Sequence, residues 1–187
     1  MRNLALFILL TLSFSMANAR EVAGVDLPDQ INLEAEGTPL VLNGAGIRKK
    51  FFFSIYLASL YLPSRTGDAG VILDTDQPSR VQMDMLYSKV EKEKFVQGWN
   101  DGFAANHSAE QLAPLKEQVE RFNGMFETLH AGDRVLLDYL PAVGTRVTIN
   151  GSERGVIPGR DFYRALLKIW LGDSPVTKSL KRDLLGD

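Results

Sequence analysis

The run FFFSIYLASLYL at positions 51–62 narrows the choice of fold more than any other feature of this sequence. Only Ser54 and Ser59 interrupt its apolar and aromatic side chains. It is too short to cross a bilayer, which takes about 20 apolar residues, and it lies between Arg48-Lys49-Lys50 and Pro63. It therefore reads as a strand buried in the core of a folded domain. The arginine at its head raises a question. In one uninterrupted strand from 48 to 62, side chains alternate and Arg48, Ser54 and Tyr56 share a face. Eight residues separate Arg48 from Tyr56, about 26 Å at about 3.3 Å per residue. Two readings follow. Either Arg48 snorkels at the strand edge while Tyr56 is core, or a bulge, a bend or a long ligand joins them at one anion site.

The amino terminus has a different character. Arg2 precedes an apolar stretch from Leu4 to Met16, and Ala17-Asn18-Ala19 supplies small residues where a signal peptidase reads. Residues 1–19 are expected to be a signal peptide cleaved after Ala19, leaving a single domain over 20–187. No later stretch is apolar for long enough to span a membrane, so no span is expected after cleavage. The expected home is a bacterial periplasm, with a secreted or outer-membrane-associated form as the alternative. The formal net charge is −2, and loss of Arg2 makes it one unit more negative. That balance argues against nucleic acid, which calls for clustered basic surface. There is no cysteine, which excludes thiolate nucleophiles, Cys-ligated zinc and CxxC redox chemistry. An exported chain without disulfides is held together by its core.

Along the chain, INLEAEG (31–37) alternates as a strand does, and Asn43-Gly44 is a hairpin-turn signal between apolar runs. Residues 63–70 read as a loop, and 80–88 alternate as a half-buried strand. At Val90 the period changes. Phe95, Trp99 and Phe103 recur every fourth residue as one stripe on a helix. SAEQ (108–111) is a capping box. Beyond it Leu112, Leu115, Val119, Phe122, Phe126 and Leu129 predict a second amphipathic helix. Strand character returns over 134–141, 145–151 and 153–159, with another Asn-Gly turn at 150–151. DFYRALLKIWLG predicts a helix stopping at Gly172, and a short helix follows Pro175. Strands, two helices, strands and two helices in that order define an α+β fold: a large antiparallel sheet backed by helices.

The residues alone define no catalytic constellation. His107 and His130 are too far apart for a helical ligand pair and have no cysteine nearby, so no metal site is expected. GVIPG lacks the Lys-Ser/Thr of a phosphate loop, and no GxSxG occurs. The carboxylates lie on charged faces such as KVEKEK (89–94).

GAGIR, IYLASLYL, FVQGWNDGF and LLKIWLGDSP appear in an order that resembles the chalcone isomerase-like family, its bacterial exported branch above all, over about residues 22–186. The resemblance implies an open-faced β-sandwich with a ligand cleft between sheet and helices. The catalytic arginine of the family's enzymes matches Arg48. A threonine falls at Tyr56, a tyrosine of the cleft helix at Phe95, an asparagine near Gly102, and a late Ser/Thr near Ile169. Each hydrogen bond lost to a developing charge costs about 2.7–4 kcal/mol in the transition state, so the resemblance implies binding before catalysis. In fatty-acid-binding members an arginine and a tyrosine from this strand region hold the carboxylate, as Arg48 and Tyr56 would.

The leading expectation is therefore a non-enzymatic periplasmic protein for an amphipathic anion such as a fatty acid, with Phe95, Trp99 and Phe103 lining the tunnel and no cofactor required. One alternative is haem or another tetrapyrrole, with Arg48 on a propionate and His107 as axial ligand. A second is an isomerase or intramolecular lyase with a substrate other than chalcone. A third is an accessory protein whose cleft has collapsed.

Overall fold

The computed structural model describes residues 19–34 and 37–186. The signal-peptide reading falls, except for Ala19, outside those residues. The described chain opens with two short hairpin strands, β1 (Ala19–Val22) and β2 (Val25–Pro28), followed by β3 (Gln30–Ile31). The alternation of 31–37 does not extend the strand. Ile31 ends it, and the Gly37 amide donates to the Glu34 carbonyl at 3.2 Å. Next come β4 (Leu40–Lys50), β5 (Phe53–Leu62), α1 (Ala69–Asp74), β6 (Ser79–Met85) and β7 (Lys89–Val90). The helical middle holds α2 (Lys92–Asn106), α3 (Ala109–Leu112) and α4 (Lys116–Gly124). The chain closes with β8 (Leu129–His130), β9 (Arg134–Leu140), β10 (Gly144–Ile149), β11 (Ser152–Ile157), α5 (Arg160–Leu171) and α6 (Lys178–Leu185).

Local chemistry explains many of the boundaries. Asp68 caps α1 through the Gly70 amide at 2.8 Å, within the stretch expected to be a loop. Ser108 and Gln111 form the expected capping box of α3. The single helix expected after it is broken, because Pro114 lacks an amide hydrogen and sits in a 3₁₀ turn at Ala113–Leu115. Phe126 and Leu129 lie beyond α4, yet both side chains are buried. Asn150 and Gly151, at φ 51° and 78°, form the tight turn between β10 and β11.

Seven strands form one antiparallel sheet in the order β11-β10-β9-β6-β5-β4-β3. The main core lies between one face of this sheet and α2, α4, α5 and α6, with Phe122, Phe162, Leu166 and Trp170 at most 1% exposed. A smaller cluster on the other face joins Leu27, Leu40, Leu42, Leu57 and Tyr61. Polar pairs share that side, including Arg80 with Asp138 and Arg134 with Asp84. The architecture is α+β, as the order of periodicities requires. Among the described residues no helix is long and apolar enough to cross a membrane.

Two corrections concern the segment that frames the site. Asn43-Gly44 is not a turn but lies within β4, where Asn43 is the extra residue of a bulge. Its side chain ties α6 and a loop to the strand, donating to the Leu184 carbonyl at 2.8 Å and accepting from the Thr66 amide at 2.8 Å. Gly44 leaves room for α6, since a Cβ there would lie 2.2 Å from the Asp183 carbonyl oxygen. Nor do residues 48–62 form one strand. The chain reverses at Phe51-Phe52, so that Lys50 pairs with Phe53 and Arg48 pairs with Tyr56.

Candidate functional site

The reversal at Phe51-Phe52 removes the 26 Å separation that a straight strand would impose. Arg48 and Tyr56 become direct cross-strand partners, neighbours about 4.5–5.5 Å apart at Cβ. The Arg48 guanidinium carbon stands 5.7 Å from the centroid of the Tyr56 ring, within cation–π range. A second bulge sharpens the arrangement. Between the pairs Arg48–Tyr56 and Lys49–Ser54, Ile55 is left over on β5, and its carbonyl accepts from the amides of Leu86 and Tyr87. The irregularity lets consecutive Ile55 and Tyr56 both reach the helix side of the sheet.

There they wall a pocket of about 370 Å³ between β4, β5 and α2, within the range of about 300–1,000 Å³ usual for small-molecule sites. Tyr56, Met83, Phe95, Trp99 and Ile169 supply buried walls, while Ile55, Tyr87, Val90 and Val176 are half-buried around it. Lys50, Lys89, Lys94, Glu91 and Asp101 are the exposed charges lining it. Phe95 and Trp99 pack edge to face at 5.2 Å, and Trp99 meets Trp170 at 5.6 Å. The third aromatic of the stripe, Phe103, does not line the pocket. One turn further along α2, it is buried in the core 6.0 Å from Phe162. His107 caps the end of α2, Nδ1 lying 3.0 Å from the Phe103 carbonyl oxygen, and it too stands outside the lining. Burial lowers its pKa.

Arg48, Tyr56 and Trp99 bring donors without acceptors among the described residues to the pocket, whose lining also holds Glu91, paired with Lys89, and Asp101, which accepts from Gln97 Nε2 at 2.6 Å. Arg48 is half-buried, and its Nε is shielded from water without a hydrogen-bond partner among the described residues. The Tyr56 hydroxyl accepts from Trp170 Nε1 at 3.0 Å, which leaves its own hydrogen to donate. Burial raises its pKa above the usual phenol value, against the opposing pull of Arg48 and the Trp170 bond, so it stays a neutral donor at physiological pH. Trp99 Nε1 is also buried without a partner among those residues. Buried donors of this kind are rare in native proteins and call for an acceptor. A guanidinium fork beside a phenol hydroxyl offers such an acceptor, a carboxylate above all, a charge-assisted site.

Sequence reasoning missed part of this lining. Gly98 faces open space on α2, with nothing within 4 Å of where a Cβ would stand. A glycine inside an aromatic-striped helix was the signal for a groove. Gly102 is different, since a Cβ there would come within 2.8 Å of Ile169 Cγ2. The two positions where the resemblance puts an asparagine and a Ser/Thr are thus held together here by an apolar contact between α2 and α5.

A seven-stranded antiparallel sheet with helices on one face and a cleft headed by an arginine places the protein in a recognisable class of α+β folds. The chain belongs to the chalcone isomerase-like family, whose model it matches over residues 19–186. Among solved structures it is similar to the fatty-acid binding protein AtFAP1 of Arabidopsis thaliana, with a TM-score of 0.67 at 15% identity. That match covers 87% of this chain and 92% of the plant protein, and it is a likeness of fold. No curated protein matches the chain in sequence.

Proposed function

We propose that this protein binds an amphipathic carboxylate such as a fatty acid and carries it chemically unchanged, working in the periplasm once its amino-terminal segment is removed. The observation behind this reading is the Arg48 guanidinium, held half-buried at an apolar pocket beside the Tyr56 hydroxyl with its Nε unpaired among the described residues. The carboxylate sits on that fork and accepts the Tyr56 hydrogen. The alkyl chain lies against Ile55, Met83, Phe95, Trp99 and Val176, each buried methylene contributing about 0.8 kcal/mol. The fold likeness to a fatty-acid binding protein supports the same reading. Carriage is favoured over isomerisation because Phe95, Gly102 and Ile169 offer no side-chain hydroxyl or amide to orient a reacting ketone.

Two measurements test this. The chain from Arg20 onward, purified natively from bacteria and extracted under denaturing conditions, releases a fatty acid identifiable by mass spectrometry. Titration of the emptied protein with a series of acids changes tryptophan fluorescence saturably, because Trp99 lines the pocket. The matching alcohols bind about tenfold or more weaker, the low end for a lost charged hydrogen bond. Equal affinity for acids and alcohols, or no saturable binding of either, defeats the proposal.

A further inference from the structure

The tip of the β4–β5 hairpin breaks two ordinary rules at once. Phe51, Phe52 and Phe53 are 86%, 97% and 54% exposed. Single exposed apolar residues are common, but a contiguous aromatic patch marks a binding surface. Phe51 adopts φ 55°, a conformation that bulky side chains rarely take and hairpin turns normally give to glycine or asparagine. Immediately behind the rings stand Lys49 and Lys50, both exposed and absent from the ion pairs among the described residues. This basic tip belongs to a chain whose formal charge is −2.

We propose that this tip docks the protein on an anionic phospholipid bilayer, with Phe51 and Phe52 set into the interface and Lys49 and Lys50 on the headgroups. The order of groups matches the depth profile of a membrane surface, where aromatic rings sit at the interface and lysines reach the headgroup layer. A protein partner fits less well. Three phenylalanines bury at most about 150–250 Å² each, short of the roughly 800 Å² per side of a stable interface. The tip is also continuous with the pocket. Arg48 and Lys50 line it, and the Phe53 ring meets that of Tyr87, another lining residue, edge to face at 5.4 Å. Glu91 at the mouth is paired with Lys89 at 2.7 Å, so Asp101 is the one lining carboxylate outside the ion pairs among the described residues. Docking by the tip brings the pocket mouth to the bilayer, where an amphipathic ligand is exchanged. The docking itself stands whatever the pocket carries.

The test uses the chain from Arg20 onward, which keeps every described strand and helix except Ala19. Co-sedimentation is measured with vesicles of phosphatidylcholine alone and of phosphatidylcholine mixed with phosphatidylglycerol. The wild type sediments with the mixed vesicles, and added salt weakens the interaction. Lys49→Glu weakens it about fivefold or more, the contribution of one lysine near an anionic surface. Phe51→Gly/Phe52→Ser abolishes it, while the glycine suits the turn and the variant folds and keeps wild-type fatty-acid affinity in vesicle-free solution. That last measurement separates failure of docking from failure of the pocket reading. A wild type that stays in the supernatant, or a Phe51→Gly/Phe52→Ser variant that sediments equally well, overturns the proposal. Self-association that depends on these phenylalanines and needs no vesicles assigns the tip to a second copy and overturns it too.

Discussion

Replacing Arg48 with methionine separates a binding residue from a structural one, because the two roles predict opposite signs. As a carboxylate anchor, Arg48 is one partner of a charged pair in a partly buried site. Truncating such a partner costs about 2–5 kcal/mol of binding. Arg48 is half-buried rather than enclosed, so the lower end applies, about 2–3 kcal/mol, or roughly 30- to 150-fold in Kd. In the unliganded protein the same side chain is a burden. Its Nε is buried and without a partner among the described residues, a defect of about 1–3 kcal/mol, against which the stacking over Tyr56 contributes about 0.5–1 kcal/mol. Methionine keeps most of the apolar stem and removes the defect. Arg48→Met is therefore expected to bind fatty acids 30- to 150-fold more weakly, on the order of the loss above, while unfolding at the same or a higher urea concentration. Isothermal titration and urea melts of ligand-free protein read the two quantities. Loss of stability with unchanged affinity would refute the reasoning and return Arg48 to the role of a strand-end snorkel.

Other substitutions probe the frame around the pocket. Gly98→Leu exchanges a helix-interior glycine for a good helix former and fills open space, so stability rises by about 0.8 kcal/mol or more while fatty-acid affinity falls; a melt and a titration on one sample check both. Gly44→Ala drives a methyl against the α6 backbone and lowers stability by about 1–3 kcal/mol in urea melts. Alkaline pH destabilises the fold. Burial raises the pKa of Tyr56 and Tyr163, and that of Tyr61 to about 12. Each therefore contributes stability fully present below the unfolded phenol pKa of about 10 and lost as pH rises from there toward the folded value. Tyr163→Phe flattens the decline above pH 10 of the unfolding free energy, read from urea melts, by up to about 1.4 kcal/mol per pH unit.

Two Asn-Gly pairs mark where sequence reading succeeds and where it fails. At Asn150-Gly151 both residues take positive φ and the hairpin forms as the dipeptide predicts. At Asn43-Gly44 the same dipeptide lies inside a strand, because Asn43 bonds to Leu184 and Gly44 admits the α6 backbone, contacts about 140 positions away along the chain. Nothing local distinguishes the pairs. The hairpin that builds the site turns instead at Phe51-Phe52, with no favourable turn chemistry and strain of about 1–3 kcal/mol at Phe51. Pairing of β4 with β5 from Val41–Leu62 to Lys50–Phe53 outweighs that strain.

What the sequence determined by itself was whatever depends on near neighbours. The α2 stripe, the Ser108 capping box, the helix ending at Gly172 and the α+β order all follow from periods and caps spanning a few residues. That Arg48 calls for an explanation was also legible, because a charge heads an apolar run there. The meeting of Arg48 with Tyr56, the joint arrival of Ile55 and Tyr56 at the pocket, and the separation of Phe103 from it were decided only in three dimensions. Each depends on strand register, and register is set by the packing of the whole sheet against its helices.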